Sequence, residues 1–136
     1  MYPKYVTAQA EKTLINKINL PNINSQDWEY EVADSSRLEE FLTDYKKLDL
    51  DIDERFALMI VIIGSYDIAL RDGTADSDIW NNICRYLIQD IDIHLNTIIH
   101  WSLKDQEEDI SELDGGFAVT HQMLEVYDYC KKNGLL

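Results

Sequence analysis

Eight consecutive apolar residues, Phe56-Ala57-Leu58-Met59-Ile60-Val61-Ile62-Ile63, constrain this chain more than any other feature. A stretch that is apolar on every side must be covered on every side, so it belongs at the centre of the fold. Ile and Val favour strands, and eight residues is a strand's length. The flanks decide for a helix running from about residue 53 to residue 71. Asp51 or Asp53 can cap it, Glu54 falls in its first turn, and Ala69 and Leu70 continue the pattern before Asp72-Gly73. A membrane span needs about 20 apolar residues, so this run does not provide one.

Only five glycines and two prolines punctuate the 136 residues, which favours helices elsewhere too. A first helix is expected over about residues 6–18, with Ala8, Ala10, Leu14, Ile15 and Ile18 as its stripe. Asn19-Leu20-Pro21-Asn22 ends it. A long irregular segment follows to residue 34. Within it Trp28, Tyr30 and Val32 alternate with Glu29 and Glu31, the spacing of an extended connector, and Trp28 is expected to pack down over the bundle. Ser36 and Glu39 match a capping box for a second helix carrying Leu38, Phe41, Leu42 and Tyr45. Beyond the central helix, Asp76 or Ser77 should cap another, with Ile79, Trp80, Ile83, Cys84 and Leu87 on one face. The pattern restarts near Asp90 or Asp92 with Leu95, Ile98, Ile99 and Trp101. One kinked helix and two separate helices are both compatible with it. An acidic loop over residues 105–116 ends in Gly115-Gly116, and Thr120 is placed to cap a last helix carrying Met123, Leu124, Val126 and Tyr127. The expected fold is all-α: one domain over residues 1–136, a bundle of five or six helices with a long irregular segment after the first.

The charge is lopsided. Twelve Lys and Arg stand against 26 Asp and Glu, a net of −14. That balance argues against partners held through phosphates, whether nucleic acid or an anionic membrane surface. The acid is also concentrated. Residues 1–26 carry a net of +2, whereas residues 72–130 hold 13 acids against Arg85 and Lys104. Six of those acids, Asp105, Glu107, Glu108, Asp109, Glu112 and Asp114, fall within ten positions. Such density costs stability by self-repulsion. Solubility is one offsetting reason. The other is a strongly basic protein partner, whose encounter an acidic patch accelerates. Asp76 and Asp78 would extend that surface. Trp101 lies just before the loop and is either core or an aromatic contact within it.

The usual signatures of catalysis do not assemble. Asp49, Asp51 and Asp53 open like a calcium loop, but the sixth position is Glu54 rather than Gly and the twelfth is Ile60 rather than Glu. His94, His100 and His121 lack the i, i+4 spacing of a zinc helix. Asp90 and His94 are four apart and read as a surface ion pair. Glu39, Asp44, Asp67 and Asp90 fall on polar helix faces, which disfavours a metal-dependent bundle enzyme. Cys84 and Cys130 lie on apolar faces and read as buried free thiols. No basic region followed by an apolar run opens the chain, so a cytoplasmic protein without cofactor or metal is expected.

The residues from Asp53 to about Met123 bring a resemblance into view. They include Gly64-Ser65-Tyr66-Asp67, Trp80 with Ile83 and Leu87, then Ile93-His94 with Thr97-Ile98. His100-Trp101-Ser102-Leu103 and Gly116-Phe117 through Thr120 complete them. Together they resemble the small acidic bacterial immunity proteins that act against contact-delivered or polymorphic toxins. The resemblance covers about half the chain. It implies a non-catalytic cytoplasmic inhibitor that binds one cognate toxin domain, commonly a nuclease, and covers its active site. A regulatory or scaffold domain acting through an apolar groove or by homodimerisation is the alternative. The basic first 26 residues depart from a uniformly acidic inhibitor.

Overall fold

The computed structural model describes residues 3–104 and 117–136. Among them all regular structure is helical. The helices are α1 (Ala8–Ile18), a single turn α2 (Trp28–Glu31), α3 (Leu38–Lys47), α4 (Ile52–Asp72), α5 (Ser77–Gln89), α6 (Ile91–Trp101) and α7 (Thr120–Lys132). A 3-10 turn at Ser35–Arg37 leads into α3. The all-α architecture is therefore as the sequence implies, with six full helices and one extra turn.

The apolar run does become the axis. Every residue from 56 to 67 is buried within α4, and α1, α2, α3, α5 and α6 all pack against it. Burying a side chain the size of Ile or Leu contributes about 1.5–3 kcal/mol, so this one helix organises the domain. Its start is a complete capping box: the Asp51 carboxylate accepts from the Glu54 N–H, and the Glu54 carboxylate accepts from the Asp51 N–H. Its end is Gly73 at φ 73°, with the Thr74 N–H returned to the Ala69 carbonyl at 2.9 Å.

Three local expectations are corrected. Residues 28–32 are not extended. With no strand beside them, their backbone groups pair with one another, Glu31 N–H with the Asp27 carbonyl and Val32 N–H with that of Trp28. The turn drives the Trp28 ring to zero exposure, where its Nε1–H donates to the Pro21 carbonyl at 2.8 Å. Ser36 does not cap α3. Asp34 takes that role one turn earlier, its Oδ1 accepting from the Ser36 N–H at 3.0 Å, so the chain enters through the 3-10 turn. Thr120 does not cap α7 either. Its hydroxyl donates to the Trp101 carbonyl at 2.9 Å and ties α7 to the end of α6. The restart near residue 90 is two helices, with Asp90 as the break between α5 and α6.

The Gly64–Asp67 stretch is structural throughout. A Cβ on Gly64 would stand 3.3 Å from that of Ala33, so any other residue there would make the connector give by a few tenths of an ångström. The Ser65 hydroxyl donates to the Val61 carbonyl and accepts the Asp34 N–H. Tyr66 stacks on Trp80 with ring centroids 5.2 Å apart. Asp67 is not on a polar face. It is 1% exposed, ion-paired with Arg71, and its Oδ1 accepts the Val119 N–H at 2.9 Å. A helix covered on all sides leaves its polar groups no water, so they bond to the elements that cover it.

Candidate functional site

The acids singled out from the sequence divide in two. Asp105, Glu107, Glu108, Asp109, Glu112 and Asp114 lie outside the described residues. Of the other seven acids in residues 72–130, Asp72, Asp76, Asp78, Asp92, Glu125 and Asp128 are exposed and the seventh, Asp90, is half-buried. Asp76 is the N-cap of α5, its Oδ1 accepting the Asp78 N–H at 2.8 Å. Trp101, expected among the contact residues, is instead packed. It is 3% exposed, with Phe117 at a centroid distance of 4.3 Å and Tyr30 at 5.9 Å. It closes α6, and Phe117 folds over its ring.

Asp90 and His94 do converge, but inside the protein and on a third residue. The Tyr45 hydroxyl lies 2.6 Å from Asp90 Oδ2 and 2.7 Å from His94 Nε2. A hydroxyl has one proton. If Tyr45 donates to the carboxylate, Nε2 carries the imidazole proton and donates to the phenol oxygen. Nδ1 is then a bare lone pair, and no partner faces it. Arg55 completes the group, with its guanidinium 3.7 Å from Asp90 Oδ2. Burial pushes the His94 imidazole down to about 4, against the opposing pull of Asp90. Burial, then the bond to Asp90, hold the Tyr45 phenol above its ordinary range. His94 has no exposed surface, so this network joins α3, α4 and α6 rather than meeting a substrate. Both thiols are free; Cys130 is buried as expected, whereas Cys84 is half-buried, and burial pushes Cys84 up to about 11 and Cys130 upward.

Among the described residues a cleft of about 700 Å³ opens between the residues before α1, α1 itself, α2, α4 and α6. Phe56, Ile60 and Val6 line it, and with Ile93 they form a small apolar cluster separate from the main core. The N-terminal wall is held by Asn96, whose Nδ2 donates to the Pro3 carbonyl at 2.9 Å. Glu11 and Glu29 supply its carboxylates, and Tyr30, His100 and Trp101 its ring surfaces. Sequence reading missed this site because it placed residues 28–32 in an extended connector. Neighbouring side chains point to opposite faces of an extended segment but stand about 100° apart on a helical turn, and both Glu29 and Tyr30 line the cleft.

A scan against protein-family models finds no match, and searches of curated proteins and of solved structures find none either.

Proposed function

We propose that this protein is a non-catalytic immunity-type inhibitor that binds a basic toxin domain, most simply a nuclease, and covers its phosphate-binding cleft with an acidic surface. The charge carries the reading: a net of −14 with 13 acids in residues 72–130, and six of the seven that are described standing exposed. A surface of that sign competes for the groups that hold phosphates and speeds the encounter with a basic partner. Asp105, Glu107, Glu108, Asp109, Glu112 and Asp114 would form its centre, with Asp76 and Asp78 beside them.

Affinity capture from the native host at low and high salt tests it, using the wild-type chain beside Glu107→Lys/Glu108→Lys/Asp109→Lys. One stoichiometric basic protein, retained better at low salt and lost by the triple variant, is expected. Equal retention by both chains at both salts would sink the acidic-surface reading. The cleft favours a second reading, a regulatory or scaffold domain that works through that groove or through self-association. Light scattering separates them: a stable dimer at low micromolar concentration supports the second.

A further inference from the structure

We propose that the cleft between α1, α2 and α6 is a binding site for a small organic cation with a flat apolar body, of the amidinium or guanidinium class. The site uses none of the acids in residues 105–114 and stands apart from the partner-neutralisation reading.

The argument begins with unpaired charge. Glu11 and Glu29 come from different helices and line the same cleft. Among the described residues neither is ion-paired with a Lys or Arg. Burial raises the Glu29 carboxyl, and the carboxylates of Asp27 and Glu11 add to the rise while its own backbone N–H opposes it. A cation bound in the cleft would offset the repulsion that Asp27 and Glu11 exert on the Glu29 carboxylate. Lys4 lines the same cleft, but its Nζ sits 5.9 Å over the Tyr5 ring instead of between the carboxylates. The lining therefore holds two carboxylates against one ammonium, and the whole chain's field has the same negative sign.

The rest of the lining selects the body of the ligand. Tyr30 is 38% exposed and leans on Trp101, whose ring also meets His100 edge-on at 5.9 Å. Ring faces beside carboxylates suit a planar cation, which stacks on the one and pairs with the other. Thr97, 3% exposed, lies in the wall, and its hydroxyl has no hydrogen-bond partner. A volume of about 700 Å³ suits a small molecule rather than a single water-filled crevice.

Benzamidine, benzoate and benzyl alcohol are matched probes, equal in ring and different in charge. Titrated into isotope-labelled protein and followed by NMR, benzamidine should shift the amides of Glu11, Glu29, Tyr30 and His100 and saturate in the millimolar range. Benzoate should leave them in place, and benzyl alcohol should bind about tenfold more weakly. Glu29→Gln should weaken benzamidine about tenfold, and Lys4→Glu should tighten it. Lys4 is exposed and Glu29 half-buried, and the same spectra report that the variants fold. The proposal is overturned if benzoate binds as tightly as benzamidine, if no saturable shift occurs, or if both variants leave the affinity unchanged. Acetyl-arginine amide separates the sources of the cation. If it competes as well as benzamidine, the site takes an arginine offered by a protein. If it is about tenfold weaker, the site takes a free ligand.

Discussion

His94 sits with one ring nitrogen on a phenol and the other on nothing, and that asymmetry has a measurable price. Burial pushes its imidazole down to about 4 in the fold, from the ordinary value of 6.5 that applies once the chain is unfolded. Between those values the unfolded chain binds the extra proton, so stability is full above the upper value and falls as pH drops through the window. The loss is about 3 kcal/mol by pH 4. His94→Gln keeps a donor for Tyr45 and cannot titrate. Urea unfolding of both chains from pH 7 to 4 should show the wild type losing that much more than the variant, and parallel curves would refute it. Asp67 offers a second residue-scale test. Asp67→Ala leaves the Val119 N–H buried and unpaired and should cost about 3 kcal/mol, with α7 losing hydrogen-exchange protection first. The sequence placed Asp90 and His94 on one face correctly. It could not show that the face is inward, because Tyr45, which they share, is 45 and 49 positions away.

Among the elements, legibility followed locality. The central helix, its acidic start and its glycine end could be read because caps and apolar runs are written in neighbouring residues. The turn at α2 and the entry to α3 could not, because Trp28 is held by Pro21 and Asp34 by Ser65, contacts that no periodicity encodes. The packing of that connector on α4 is open to test at one position. In Gly64→Ala the new methyl meets Ala33 at 3.3 Å and asks for a shift of a few tenths of an ångström. Gly64→Val has no room for such a shift and should cost about 2 kcal/mol in urea unfolding. Ala33→Gly combined with Gly64→Val should restore part of it. A double variant no better than the single would place the strain elsewhere. The cleft shares this illegibility, since two of its groups, Glu29 and Tyr30, belong to the turn that was read as extended.

For the molecule as a whole, net charge is a destabilising term that salt can screen. At −14 the folded chain repels itself, so sodium chloride should raise its urea midpoint. Reversing Glu107, Glu108 and Asp109 to Lys changes three residues by two charges each and brings −14 to −8. That variant should unfold later at low salt and respond less to added salt. A midpoint that falls with salt would show that attractive pairs outweigh the repulsion. One further property follows from the way the described residues on either side of 105–116 are clasped together. Phe117 lies on Trp101, Thr120 is bonded to the Trp101 carbonyl, and Asp67 holds Val119 from beneath. The two stumps are fixed to the domain independently of what joins them. Such a mount lets residues be substituted or inserted between the two anchors without disturbing the helices that hold them.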